Sequence, residues 1–342
     1  MIAPAREGHE DVDRFLPYDV VRLPGAYLRA TTSVRDAIVD TARTCDADAV
    51  HFLAALPLGR LGPHVREATG APFTVVAHGT GEILLPSRVP FARQALRKVL
   101  VSADVVLPVS EFTRAAVDKL TKGRAKTWLI PPAVDVDRFS LDVSGAAVRG
   151  EHSLGGRFVV LFVSRLVKRK GADILIRAAA AIPDVVVLLG GDGPERATLV
   201  RLVRELGVAD RVIFVGLIPD DRLPEYYAAA DAFCMPCTDR YGGLDTEGFG
   251  VVYLEAQASG LPTIAGHCGG SAEAVLDRVT GYVLADPTPR SVGTAILELR
   301  KDRAIAMKLG GAGRARMEQE FAPKVAAAKL DAAVTRVSAR GR

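Results

Sequence analysis

The sequence predicts an α/β protein with two doubly wound, Rossmann-like domains. Its 342 residues are more than one hydrophobic core usually serves, so two domains of ordinary size are expected. Short apolar runs alternate with longer amphipathic stretches along the chain. This alternation is typical of repeated strand-helix-strand units, which build parallel sheets.

A first series of these units occupies the amino-terminal part of the chain. The predicted strands cover residues 20–23, 49–54, 73–77, 105–109 and 127–130, and helices are predicted to begin near Ser33, Gly62, Arg88 and Glu111. A doubly wound domain normally opens with a strand and a glycine-rich turn at the centre of its sheet. Residues 1–4 instead resemble the end of a second strand. We therefore expect the first domain to lack its first strand and its glycine loop.

A second series follows a segment that has the composition of a linker. Residues 140–156 are rich in Ser, Gly and Ala and have no strong period, which predicts an interdomain linker. The strands predicted beyond it cover 158–163, 185–189, 212–215, 232–235, 262–265 and 281–284, and the helices cover 172–181, 195–206, 224–229, 250–259, 271–276 and 326–337. This places the domains at residues 1–143 and 144–320.

Composition and charge limit the class of protein. The formal net charge of +4 permits an anionic partner but does not imply nucleic acid. No apolar run approaches the roughly 20 residues of a membrane-spanning helix, and the charged first residues do not resemble a secretory signal, so a cytoplasmic protein is expected. Cys234 and Cys237 have redox or zinc-site spacing, but they occupy an apolar strand without a second pair, which favours buried thiols.

Glu247 and Glu255 flank a run of glycines at the predicted start of a helix. Gly248, Phe249, Gly250 and Val251 would present backbone amides there, and a helix start of this kind suits a diphosphate. Glu247, in the loop, could face a sugar ring, while Glu255, inside the helix, could accept hydrogen bonds from paired ribose hydroxyls. The alternative is that both are solvated surface charges.

Two loops after predicted strands add further candidates. Arg165 and Lys170 follow the first strand of the second domain, where ligands bind in open parallel sheets, and could hold a pyrophosphate. A solvated turn is the alternative. Gly191 ends the next strand and could bring the backbone close to a ligand, although a plain tight turn explains it equally well.

The order of these motifs resembles glycosyltransferase family 4. The resemblance comprises Ser164-Arg165 with Lys170-Gly171, Gly191-Asp192-Gly193-Pro194, Glu247 through Glu255, Gly260-Leu261-Pro262, Gly269-Gly270 and Thr280-Gly281. Segments 240–245 and 253–258 are most similar to the actinobacterial GDP-mannose-dependent group that acts on phosphatidylinositol monomannoside. The resemblance implies a GT-B fold with two Rossmann-like domains facing a cleft, and a helix within 321–342 that crosses back to the first domain.

The resemblance also implies a reaction and roles for single residues. The activity would be retaining transfer of a hexose, with mannose from GDP-mannose moving to a phosphatidylinositol mannoside or a similar glycolipid in phospholipid metabolism. Arg165 and Lys170 would hold the donor diphosphate, Glu255 would bind ribose, and Glu247 would contact the transferred sugar and support its oxocarbenium-like transition state.

The same resemblance assigns two further contacts and no cofactor. Gly216 and Leu217 would lie near the nucleobase, and His78, after the strand at 73–77, would contact the donor sugar. A lone histidine at a strand end is more often structural. No metal is needed where two cations and a helix start stabilise the leaving group, so the expected partners are the nucleotide-sugar donor and the acceptor.

A basic amphipathic stretch over 87–100 favours a glycolipid acceptor at the inner face of the plasma membrane. Phe91, Ala95 and Val99 would share one face, with Arg88, Arg93 and Arg97 mostly off it, as in a helix that lies on anionic lipid. An ordinary surface helix is the alternative.

Other functions remain open at this stage. A UDP-sugar transferase with another acceptor keeps the same chemistry, and a non-catalytic nucleotide-sugar-binding remnant would fit a shortened first domain. A redox dinucleotide domain is disfavoured because no Gly-x-Gly-x-x-Gly turn follows a strand.

Overall fold

The structure is a computed structural model that describes residues 1–338, and the chain folds into two compact units. The first comprises residues 1–109, 113–130 and the chain from Leu330, and the second comprises 110–112 and 131–329. The strands are β1 Ile2–Pro4, β2 Val21–Leu23, β3 Val50–Phe52, β4 Phe73–Ala77, β5 Val105–Pro108, β6 Phe158–Val163, β7 Val185–Gly190, β8 Val212–Gly216, β9 Ala232–Met235, β10 Thr263–Gly266 and β11 Gly281–Leu284.

Helices follow most of these strands. They are α1 His9–Asp13, α2 Thr32–Thr44, α3 Gly62–Thr69, α4 Pro90–Ser102, α5 Glu111–Thr121, α6 Ala146–Glu151, α7 Ala172–Ala180, α8 Arg196–Glu205, α9 Leu223–Ala229, α10 Val251–Ala258, α11 Ser271–Ala274, α12 Pro289–Lys301, α13 Arg303–Arg316 and α14 Pro323–Ser338. Among residues 1–338, no helix has both the length and the apolar composition that crossing a membrane requires.

The strands of the first unit form two separate parallel sheets. β1 pairs with β2, and β3, β4 and β5 pair in that order. Segment 127–130, predicted as a strand, runs beside β5, where Thr127 bridges Val106 and the Ile130 N–H donates to the Pro108 carbonyl oxygen at 3.0 Å. The pairing is incomplete because Pro108 of β5 has no N–H to donate.

The last part of α14 packs against the first unit. Ala333 is 1% exposed and lies in an apolar cluster with Val105 and Leu107 of β5, and Trp128 and Leu330 cover this cluster. Residues of α14 up to Lys329 belong to the second unit, and those from Leu330 belong to the first. The predicted helix region at 321–342 extends past the described residues at its last four positions.

The second unit contains one six-stranded parallel sheet, counted over the described residues, in the order β11-β10-β9-β6-β7-β8. Residues Val185 to Leu189 of β7 are all fully buried, as expected for a parallel strand covered on both faces. The chain begins this sheet in the middle at β6, runs outward through β7 and β8, and returns to β9 on the other side. The switch point between β6 and β9 is where such sheets bind ligands, at the carboxyl ends of the strands.

Two segments differ from their sequence-based interpretation. Residues 140–156 do not form an open linker, because they lie in the second unit and contain α6, with Val148 and Leu154 fully buried. The predicted lipid-facing side of 87–100 is also wrong in part. α4 begins at Pro90, and Val99 is buried in the core, whereas Phe91 is 88% exposed.

Candidate active site

The loops after β6 and β9 pack directly on each other at the switch point. Gly171 has φ +75°, and a Cβ atom there would lie 2.2 Å from the carbonyl oxygen of Pro236. The Thr238 N–H donates to the carbonyl oxygen of Arg169 at 2.8 Å. The glycine is therefore required by close approach of the two loops, and this approach brings Arg169 and Lys170 to the loop that carries Glu247.

The carboxylate of Glu247 is buried between two cations. Lys170 Nζ donates to Glu247 Oε2, Arg169 Nη1 donates to the same oxygen at 2.8 Å, and Arg169 Nε lies 3.0 Å from Asp245 Oδ1. Glu247 and Lys170 are each 8% exposed. Burial alone would raise the pKa of Glu247, but the two cations outweigh it and lower the pKa. Glu247 is therefore a buried anion at neutral pH.

The main chain of Glu247 is fixed as well as its side chain. Its N–H donates to Cys268 Sγ at 3.3 Å, and its carbonyl oxygen accepts from the Gly270 N–H at 2.9 Å. Gly269 has φ +53°, and a Cβ atom there would lie 2.1 Å from the Glu247 carbonyl oxygen. The two glycines therefore let the segment after β10 contact the Glu247 backbone directly.

Glu255 has a different environment on α10. Tyr227 OH donates to Glu255 Oε2 at 2.8 Å, and burial raises the pKa of this carboxyl group. No salt bridge within 4.0 Å involves Glu255 among the described residues, although Arg138 lowers its pKa slightly through a longer-range attraction. A hydroxyl group already contacts Glu255, so its carboxylate suits hydroxyl ligands such as those of ribose.

Glycines precede the start of α10 and leave its backbone amides accessible. Gly250 has φ +94°, and no side chain caps the helix. Phe249 is buried against the ring of Phe321 at 5.8 Å, and Val251 is exposed. Together with Gly248, these residues present a helix start where backbone amides favour an anion.

The loops after β7 and β8 interlock beside the loop that carries Arg165. Gly191 has φ +117°, and a Cβ atom there would lie 2.0 Å from the Ser164 carbonyl oxygen. Its N–H donates to the Gly216 carbonyl oxygen at 2.6 Å. Packing of the loops therefore accounts for Gly191, while Leu217, next to Gly216, is 77% exposed at the same end of the sheet.

Arg165 and His78 are not part of the cluster around Glu247. Arg165 is exposed and forms no ion pair among the described residues. His78 belongs to the first unit, where its Nε2 atom lies 3.0 Å from the Leu53 carbonyl oxygen and its N–H donates to Glu82 Oε2 at 3.2 Å. Burial raises the pKa of Glu82, although His78 partly opposes that effect.

Sequence reasoning missed several contacts of the two glutamates. Arg169 is one of three successive basic residues with Lys168 and Lys170, and nothing in the spacing distinguishes it from Lys168, which instead pairs with Asp173 at 2.6 Å. Tyr227 and Cys268 lie on separate elements far along the chain from their partners. Only the tertiary structure brings them to Glu255 and Glu247.

A glycine-lined helix start at the switch point of a parallel sheet, beside a carboxylate buried between two cations, is typical of proteins that bind a phosphate-bearing ligand. Comparison with known proteins identifies the family. Residues 1–138 match the model of Glycosyltransferase Family 4, and residues 147–316 match that of Glycosyl transferases group 1. The chain belongs to glycosyltransferase family 4, so it is a hexosyltransferase, as the motif order predicted.

Characterised relatives cover most of the chain. It is 41% identical over 320 residues to the GDP-mannose-dependent alpha-(1-6)-phosphatidylinositol monomannoside mannosyltransferase of Mycolicibacterium smegmatis, covering 91% of this chain and 83% of that protein. It is 34% identical over 335 residues to the GDP-mannose-dependent monoacylated alpha-(1-6)-phosphatidylinositol monomannoside mannosyltransferase of Corynebacterium glutamicum, covering 95% and 86%.

Solved structures confirm the GT-B fold. The Anabaena protein HepE in complex with UDP superposes with a TM-score of 0.83 at 21% identity, covering 98% of this chain and 92% of that one. Sucrose-phosphate synthase from Thermosynechococcus elongatus superposes with a TM-score of 0.78 at 26% identity, covering 94% and 84%.

Proposed function

We propose that this protein is a retaining mannosyltransferase that moves mannose from GDP-mannose to a phosphatidylinositol mannoside. The observation that carries the proposal is the buried Glu247 carboxylate between Lys170 and Arg169, in a chain 41% identical to a transferase named for this donor and acceptor class. The alternative is a UDP-sugar donor. A protein of the same fold, HepE, has been solved with UDP bound.

The reaction needs leaving-group stabilisation more than covalent chemistry. The bond between mannose C1 and the oxygen of the GDP β-phosphate breaks, and the acceptor hydroxyl oxygen forms a bond to C1 on the same face. The hydroxyl proton passes to the departing phosphate oxygen. Lys170 and Arg165 supply positive charge to the diphosphate. The backbone amides of Gly248 to Val251, at the start of α10, can donate hydrogen bonds to its oxygens.

The two glutamates divide the remaining tasks. Glu247, ionised and held in place, opposes the positive charge that develops on the sugar ring in the transition state. Glu255 accepts hydrogen bonds from the ribose hydroxyls, as it accepts one from Tyr227 OH in this structure. Leu217 lies beside the base in this proposal.

Calorimetric titration with GDP, UDP and GDP-mannose tests the donor assignment. We expect GDP to bind at least about tenfold more tightly than UDP, and Glu255→Gln and Arg165→Ala each to weaken GDP binding by about tenfold. Glu205→Gln and Arg204→Ala replace exposed residues of α8 and serve as matched controls. Preference for UDP would favour the alternative donor, and no nucleotide binding by the folded protein would contradict the proposal.

We further propose that the region around the start of α4 contacts anionic lipid, so that the enzyme acts at the inner face of the plasma membrane. Leu85, Val89 and Phe91 are 51%, 54% and 88% exposed, and Arg88 and Arg93 are exposed next to them. Apolar side chains flanked by arginine favour an interface with anionic headgroups. Flotation with phosphatidylinositol vesicles should recover the wild type but less of Phe91→Ala. Equal recovery with neutral vesicles would contradict this surface.

A further inference from the structure

The geometry points to Cys268 as a positioning residue that fixes the Glu247 main chain, an inference that rests on the proposed function of Glu247. Cys268 is fully buried, and its Sγ atom accepts the Glu247 N–H at 3.3 Å. Cys268 lies in the loop after β10, not in the run between Glu247 and Glu255 that the sequence motifs cover.

The Cys268 sulfur also lies near the side chain of Thr246, the residue before Glu247. Thr246 Oγ1 donates to Asp239 Oδ1, because an ionised carboxylate can only accept. The same Thr246 oxygen lies 3.4 Å from Cys268 Sγ. The sulfur thus accepts from the Glu247 amide and lies within hydrogen-bond distance of Thr246. The result is a continuous chain from Glu247 through Cys268 and Thr246 to Asp239.

The cysteine is itself held by its own loop. The Cys268 N–H donates to Ser271 Oγ at 2.9 Å, and Ser271 Oγ donates to the Gly266 carbonyl oxygen at 2.5 Å. The next two residues place the Gly270 N–H on the Glu247 carbonyl oxygen at 2.9 Å. This loop therefore contacts both polar groups of the Glu247 peptide backbone, one through a thiol and one through an amide.

A main-chain anchor matters because the side-chain partners of Glu247 have a second task. Lys170 neutralises Glu247 in this structure and also faces the donor diphosphate in the proposed function. A bound diphosphate would compete for Lys170, so the carboxylate needs a support that does not depend on that lysine. Misplacement of a reacting group by about 1 Å can cost about 100-fold in rate.

The experiment compares Cys268→Ala with Cys268→Ser, and uses Cys234→Ala as the matched control. Cys234 is an equally buried thiol on β9, and it lies near Cys237 rather than against the Glu247 main chain. Two rates are measured, GDP release from GDP-mannose without acceptor and transfer with acceptor. GDP affinity is measured by calorimetry.

We expect Cys268→Ala to lower kcat at least about tenfold while the Kd for GDP changes less than about twofold. Serine keeps an acceptor at this position, so Cys268→Ser should recover kcat to within about threefold of the wild type. Cys234→Ala should stay within about twofold for both quantities. An equal fall of kcat in Cys234→Ala and Cys268→Ala, or a parallel loss of GDP affinity, would overturn the assignment.

Amide hydrogen exchange gives a readout that does not depend on activity. A peptide spanning residues 246–250 should exchange faster in Cys268→Ala than in the wild type and in Cys234→Ala. Unchanged exchange would overturn the inference even if the enzyme is active. A wild type without GDP binding or transfer would instead contradict the proposed function, and exchange would still test the contact.

Discussion

Glu247 and Glu255 lie eight residues apart, yet the fold gives them opposite electrostatic environments. Two cations contact Glu247 and lower its pKa, whereas a tyrosine hydroxyl contacts Glu255 and burial raises its pKa. A carboxylate that is ionised at neutral pH suits a transition state that develops positive charge. One that prefers hydroxyl partners suits a ribose. Two carboxylates on one short segment can therefore suit different tasks, because the fold surrounds one with cations and the other with a hydroxyl group.

The largest expected effect comes from removing the charge of Glu247. Glu247→Gln should lower kcat by about 100- to 1000-fold, because a charge aimed at the developing transition state is lost. Steady-state transfer of radiolabelled mannose measures this change, and GDP affinity should stay within about threefold. A comparable fall of kcat in Glu255→Gln would remove the distinction between the two carboxylates.

The next effect concerns stability and depends on the buried ion pair. Lys170→Met leaves Glu247 with one cation in a buried site, and breaking such a pair typically costs about 3 kcal/mol. Urea unfolding should show this loss. In the double variant with Glu247→Gln the loss should be smaller than the sum of the single effects, because no buried charge is left uncompensated. Strict additivity would mean that the two side chains do not interact.

Binding should respond to Glu255 more than to its tyrosine partner. Glu255→Gln is expected to weaken GDP binding by about tenfold, through lost hydrogen bonds to a charged acceptor. Tyr227→Phe keeps the aromatic packing and removes only the hydroxyl, so a change of at most about threefold is expected. If Tyr227→Phe weakens GDP binding as much as Glu255→Gln does, the hydroxyl itself is the ligand group.

The smallest effect is in the pH dependence of stability, where the two carboxylates should act with opposite sign. The lowered pKa of Glu247 stabilises the fold above the unfolded value of about 4.3, and this contribution is lost as pH falls through the lower folded pKa. The raised pKa of Glu255 acts in reverse, because its cost grows as pH rises from about 4.3 toward the folded value. Unfolding of Glu247→Gln and Glu255→Gln followed between pH 3 and 7 measures both slopes. Slopes of the same sign would contradict the comparison.

Much of the second unit could be predicted from its sequence. Strands β6, β9 and β11 have the predicted bounds, because buried parallel strands are uninterrupted apolar runs. Residues 140–156 could not be assigned in this way. α6 is short and only Val148 marks it as buried, so its composition resembles a linker.

The candidate site could be predicted only for residues that share a local motif. Glu247, Glu255 and Lys170 follow from loop position and spacing, whereas the pairing of Arg169 with Glu247 depends on the approach of two loops at Gly171 and Pro236. The thiol of Cys268 contacts Glu247 across 21 residues of chain. Such contacts depend on the order of strands in the sheet, which the periodicity of the sequence does not predict.

The most direct test of the central claim is transfer from GDP-mannose to phosphatidylinositol monomannoside by the purified protein, with the product identified by mass spectrometry and its anomeric configuration by NMR. We expect a product one hexose heavier with the α configuration of the donor retained, and no product above background from Glu247→Gln. Transfer that is equally fast in Glu247→Gln, or a product with inverted configuration, would contradict it.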